Sequence, residues 1–353
     1  ITVGDKFYAY GFSAILSKRK ITSEWLYELY QNGSARCLFE REGNKRPILD
    51  STITLSNTEK NKFEIYADDF EGNESSLFLT EMNRGKKYTV RSKLLFFKEV
   101  YDWIVTHIAV ITPNTPLIDL EYYYDTDSLK LINKLIETFD TGISKVKIEE
   151  ISLDELSNAM PKPVFDKVMR HVKSRIEEQE NPSFRMTMRS NESFFNIEVQ
   201  GHEEPKVTTI RLNHLKSFYD FGFEEESDGT RRLFDLMDML LNKREDMLYV
   251  VDELERSLHP KLTERFLQLF MQLHSEERMQ LLFTTHESSI MDQSIFRRDE
   301  IWFIERNAEN ASEIYSLDRF KERYDKVLSK AYLEGRYGAI PVFSTFEFSR
   351  EEE

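Results

Sequence analysis

The stretch Met247-Leu-Tyr-Val-Val-Asp-Glu-Leu-Glu-Arg-Ser-Leu-His-Pro260 constrains this chain more than any other. The apolar run from Met247 to Val251 delivers two adjacent carboxylates, Asp252 and Glu253. A short run of this kind, rich in Val and with an aromatic, reads as a buried strand of a parallel sheet. Carboxylates at the C-terminal end of such a strand stand where open α/β sheets take their ligands. The chemistry that needs the pair is nucleoside triphosphate hydrolysis. Asp252 would hold Mg²⁺, directly or through water, and Glu253 would polarise the water that attacks the γ-phosphate. The same letters would also serve a strand that merely ends in a charged, solvated turn, so the neighbouring segments decide.

Upstream lies Phe223-Glu-Glu-Glu-Ser227-Asp-Gly229-Thr230-Arg-Arg, followed by Leu233, Leu236, Met237, Leu240 and Leu241. That spacing is the apolar stripe of a helix. Ser227 stands where the helix begins, with Gly229 close behind, and free N–H groups at a helix start make an anion site. The plain alternative is an ordinary N-cap. Downstream, Gln280-Leu-Leu-Phe-Thr-Thr285 reads as a second buried strand, followed at once by His286. A histidine at that strand end can hydrogen-bond a γ-phosphate oxygen, although a lone histidine is more often structural.

The order of these parts is far more specific than any one of them: Ser-x-Gly, helix, strand with Asp-Glu, Ser257-Leu-His-Pro260, helix, strand with His. It resembles the ABC-type ATPase heads of the SMC, RecF and overcoming-lysogenisation-defect group. The resemblance implies that Ser227 and Gly229 belong to the signature motif and that Asp252 and Glu253 are Walker B. It also implies that Ser257 to Pro260 form the D-loop and that His286 is the switch histidine. The phrases Arg297-Arg-Asp-Glu-Ile-Trp-Phe-Ile-Glu305 and Gly335-Arg-Tyr-Gly-Ala-Ile-Pro341 look like the abortive-infection ATPases of bacterial phage defence. The match is strong over residues 205–341 and loose before them. One departure is clear: no G-x-x-x-x-G-K-[ST] occurs in this sequence, and Arg84-Gly85-Lys86-Lys87 lacks both the first glycine and the hydroxyl residue. In the family the P-loop lies near the N-terminus, and we expect that segment to lie outside this sequence.

The resemblance implies ATP and Mg²⁺ as cofactors and a homodimer or higher homo-oligomer formed through the heads. It also implies a separate effector, a nuclease or toxin, because no nuclease site is evident in the chain itself. A net charge of −15 disfavours broad electrostatic wrapping of DNA, though it leaves a local basic patch open. The single cysteine, Cys37, excludes an internal disulfide and fits a reducing, cytoplasmic setting. No apolar run of about 18 residues is present, so no membrane span is expected.

The expected fold class is α/β: an ABC-type head with a mixed or parallel sheet, an antiparallel β-lobe and a helical insertion. Residues 1–66 read as the β-lobe, with Ile21 to Tyr27 either a strand or a turn of helix. Residues 67–204 read as a mainly helical insertion with some strands, including helices over Leu94 to Ile108, from a cap at Asp125, and over Val164 to Glu180. Alternation over Gly142 to Leu153, Phe194 to Gln200 and Lys206 to Leu212 predicts strands that pair. Residues 205–341 form the ATPase half, with Ile301 to Ile304 as its last buried strand and Glu313 to Leu317 as an edge hairpin. Residues 342–353 form a frayed tail. The leading functional expectation is an ATP-hydrolysing sensor or regulator of an anti-phage system. The alternatives are a DNA-repair or chromosome-maintenance ATPase of the RecF or SMC type, and a nucleotide-binding scaffold without hydrolysis.

Overall fold

The computed structural model describes residues 1–113, 121–124, 126–189, 193–241, 244, 246–321 and 328–341. It divides into two compact units, Ile1–Ala109 and Val110–Glu353. The expected cap at Asp125 and the tail 342–353 lie outside the described residues.

The first unit opens with five antiparallel strands in sequential order: β1 (Thr2–Val3), β2 (Lys6–Ile15), β3 (Lys20–Leu29), β4 (Ala35–Glu42) and β5 (Ile48–Leu49). Ile21 to Tyr27 is therefore strand. Gly11 on β2 lies under Trp25 of β3, where an added Cβ would come within 2.3 Å of the ring. Three helices follow: α1 (Asn57–Phe70), α2 (Phe78–Asn83) and α3 (Leu95–His107). They bury Phe63, Phe70, Phe78, Met82 and Phe97 against Tyr8, Leu26 and Phe39 of the sheet. Phe78 is the hub, with the rings of Phe39, Phe63, Phe70 and Phe97 centred 5.2–5.8 Å away. One face of the sheet needs an apolar cover, and these helices supply it. The expected boundary at residue 66 thus falls inside α1. Glu24, fully buried, accepts the Phe78 and Leu79 N–H groups at 2.7 and 2.9 Å, which starts α2, and Arg41 lies 3.4 Å from its carboxylate.

The chain passes into the second unit along β6 (Ile108–Ile111). Next come α4 (Thr126–Glu137), β7 (Ile143–Ile151), α5 (Leu153–Asn158) and α6 (Lys162–Glu177). The strands β8 (Ser183–Arg189), β9 (Phe194–Gln200), β10 (Lys206–His214) and β11 (Asp220–Gly222) complete an antiparallel sheet ordered β11-β10-β9-β8, with β7 also paired to β10. The predicted strands do pair in one sheet.

The remaining elements hold the predicted motifs. α7 (Asp228–Leu241) buries all of Leu233, Leu236, Met237, Leu240 and Leu241, each worth roughly 1.5–3 kcal/mol relative to exposure. β12 (Leu248–Val251), α8 (Pro260–Leu273) and β13 (Gln280–Phe283) make a parallel β-α-β unit in a sheet ordered β13-β12-β6. β13 is a strand, but it is not buried as predicted: Leu282 is 60% exposed. It lies at the sheet edge, paired to β12 alone among the described residues. β14 (Trp302–Arg306) pairs antiparallel with β15 (Ser312–Ser316), the expected hairpin, but as a separate two-stranded sheet, and β14 is not the buried strand expected. Only Phe303 of β14 is buried, in a cluster with Leu317, Leu328, Ala331 and Tyr337; Ala331 lies on α9 (Leu328–Leu333). Arg298 is a strut here, donating to the Leu317 and Phe320 carbonyls. Among the described residues, no helix is long and apolar enough to cross a membrane.

Candidate functional site

The acidic pair stands at the C-terminal end of β12, as the apolar run requires. The Asp252 N–H donates to the Ile111 carbonyl at 2.9 Å, so the sheet's hydrogen bonding continues to the first carboxylate. The β12–β13 register pairs Val251 with Phe283, which brings the next residues, Asp252 and Thr284, side by side. The Thr284 hydroxyl donates to Asp252 Oδ1 at 2.6 Å and accepts the Glu253 N–H at 2.9 Å. One hydroxyl thus fixes both acidic residues. Glu253 then turns into the left-handed region, with φ of 50°, and Ser257 does the same at 62°. Left-handed backbone at residues other than glycine costs energy and clusters at functional turns.

Ser227 and Gly229 sit at the start of α7. The Ser227 hydroxyl accepts the Thr230 N–H at 3.1 Å and shares a hydrogen with the Thr230 hydroxyl at 2.9 Å. Ser227 is therefore an N-cap, and it is exposed at the surface. A Cβ at Gly229 would fall 2.6 Å from the Ser257 carbonyl oxygen, so this position must be glycine for the turn to seat on the loop after β12. The structure thus brings Ser227, Gly229 and Ser257 into one cluster. Before that turn, Glu226 is buried and tied to His214, with 2.6 Å between Glu226 Oε1 and His214 Nε2.

His286 completes the group from the end of β13. Its Nε2 is 3.9 Å from Glu253 Oε1, and its side chain is 88% exposed. Its N–H donates to Glu255 Oε1 at 2.7 Å, so the loop after β12 holds the loop after β13. His259 caps α8, its Nδ1 accepting the Lys261 N–H at 3.2 Å, and Pro260 opens the helix.

All six predicted site residues, Ser227, Gly229, Asp252, Glu253, Ser257 and His286, therefore gather around the C-terminal end of β12 and its two flanking loops. Three further residues belong to the same network and carried no role in the sequence reading: Thr284, Arg232 and Glu255. Thr284 gave no signal without the strand register. Arg232 gave one, because an arginine four residues before Leu236 sits on the apolar stripe.

The donor set suits magnesium held with a triphosphate. Asp252 is exposed, and its Oδ1 is already engaged by Thr284. Among the described residues, no three His, Cys, Asp or Glu side chains converge to hold a metal by themselves. Mg²⁺ asks for less, since it commonly takes one or two carboxylates and completes its shell with water and phosphate oxygens.

A protein-family model described as "AAA domain, putative AbiEii toxin, Type IV TA system" matches residues 9–292. No curated protein matches the chain. Among solved structures, the crystal structure of the SmcHead bound to the C-winged helix domain of ScpA is 12% identical. The match covers 83% of this chain and 68% of that one, with a TM-score of 0.30.

Proposed function

The chain belongs to the AAA-domain family of that description, and from this premise we propose that it is an ATP-binding and ATP-hydrolysing head that regulates a separate effector in bacterial phage defence. The observation that supports this reading best is the Thr284 clamp on Asp252 and Glu253, with the Gly229 turn seated on the same loop. Asp252 would hold Mg²⁺, directly or through a bound water. The metal, when bound, neutralises charge on the β- and γ-phosphates. Glu253 would orient the attacking water and accept its proton. His286, exposed and within reach of Glu253, would swing to a γ-phosphate oxygen.

The Ser227–Gly229 turn faces solvent, so it is available to a second copy of the chain. Two heads would then enclose nucleotide between the acidic pair of one and the Ser227 turn of the other. ATP would join them, and hydrolysis would loosen them, a two-state switch set by the γ-phosphate. The effector, a nuclease or toxin, would read that switch, and the setting would be cytoplasmic.

The test is turnover by the full-length protein. Glu253→Gln should retain ATP binding while hydrolysis falls by roughly 10²- to 10⁴-fold, the usual worth of a general base. Unchanged turnover in that variant would refute the assignment.

A further inference from the structure

Arg232 is the anomalous residue of α7. It shares a face with Leu236, Met239 and Leu240, all buried, and is itself 6% exposed. Burying a guanidinium is costly unless it is fully hydrogen-bonded, and burial lowers its pKa here. Yet its bond from Nη2 to the Glu253 carbonyl is long, at 3.4 Å, and its buried Nε has no acceptor among the described residues. Glu255 is the complement. Its Oε1 accepts the His286 N–H, while its buried Oε2 has no donor among the described residues. The charges acting on Arg232 are Asp235, Glu255 and Glu253, which favour it, and Arg256, which opposes it. A donor and an acceptor of opposite charge are thus held near each other, both incompletely satisfied. Buried polar atoms without partners are rare enough to call for an explanation.

We propose that Arg232 is a positioning residue that couples the Ser227–Gly229 turn to the chain's own Glu253 and His286. It braces the left-handed Glu253 peptide from α7 and engages Glu255 when the turn closes on nucleotide. Arg232 lies one helical turn after Gly229, so a shift of the turn carries the guanidinium with it. Glu255 passes that shift to the His286 backbone, and the Gly229–Ser257 contact passes it to the loop itself. The nucleotide that a head shares with its partner would in this way tune the geometry of its own hydrolytic site. The proposal rests on the ATPase reading above.

The test compares Arg232→Lys, Glu255→Gln and the double variant with wild type in the full-length protein, reading kcat, KM for ATP and thermal stability. Lysine keeps the charge but cannot make the forked contacts of a guanidinium. Each single variant should lower kcat by roughly 10- to 100-fold, as loss of a supporting contact does, with KM and thermal midpoint held near wild type. The double variant should be no worse than the poorer single, because the two act as one unit. Wild-type kcat in both singles, losses that multiply, or a fall in stability matching the loss of rate would each overturn the proposal. If Arg232→Lys does not fold, the kcat-against-KM split of Glu255→Gln decides. A wild-type protein that neither binds a fluorescent ATP analogue nor turns ATP over would instead remove the ATPase reading.

Discussion

Thr284 is a small side chain that holds two larger ones in place. Its hydroxyl is donor to Asp252 and acceptor from the Glu253 N–H at once, so only a residue with both capacities can serve. Valine has the shape without the hydroxyl. Thr284→Val should therefore cut ATP turnover by roughly 10- to 100-fold, while Thr284→Ser, which restores both bonds, should stay within about threefold of wild type, a small part of that range. Steady-state kinetics on the two variants checks this. Equal activity in Thr284→Val and Thr284→Ser would mean that the hydroxyl does not position the pair. At the same scale, Gly229 shows why the turn that opens α7 admits no side chain there: the Ser257 carbonyl occupies the space a Cβ would need.

At the scale of elements, much of the second unit was legible in the sequence. The α7 stripe, the β12 run and the helix opened by Pro260 are local patterns, and local patterns survive into the fold. What was not legible depended on which element becomes whose neighbour. Gln280 to Phe283 has the composition of a buried strand, but burial is decided by what lies beyond its edge. Trp302 to Arg306 has the same composition, and its hairpin with Ser312 to Ser316 across the Asn307–Asn310 turn was legible, but its exposure was not. The parallel register that sets Thr284 beside Asp252 is a long-range fact, and nothing in the letters Thr284-Thr285 announces it. Likewise, the chain from residue 67 reads as the start of a helical insertion until the face of the β1–β5 sheet is seen to need α1, α2 and α3.

The first unit supplies a prediction of its own at this scale. Glu59 sits in the first turn of α1, capped by Ser56, and reaches across to the approach to α3. Partial burial raises its pKa, but bonds from the Ser56 and Ser92 hydroxyls and the Ser56 and Lys93 N–H groups outweigh this and bring it down to about 2. A carboxylate whose folded pKa is depressed contributes stability above its unfolded value, and loses it as pH falls through the folded value. The contribution should thus be complete above the ordinary glutamate value of 4.5 and disappear toward pH 2. Thermal unfolding of wild type and Glu59→Gln across that range should show a deficit in the variant that narrows as the solution is acidified. A deficit independent of pH would contradict the charge-based account.

For the whole molecule, the central claim is that nucleotide joins two copies of this chain through surfaces that a single copy leaves exposed. The acidic pair and the Ser227 turn lie close together in one chain, linked through Ser257, and both face outward. The net charge of −15 works against association of two copies, and a bound cation would offset part of that repulsion. The most direct measurement is sedimentation velocity on full-length Glu253→Gln, with and without ATP and Mg²⁺. The account predicts a monomer without nucleotide and a dimer with it, returning to monomer when ADP replaces ATP. A sedimentation coefficient that stays the same under all three conditions, in a protein shown to bind ATP, would contradict it.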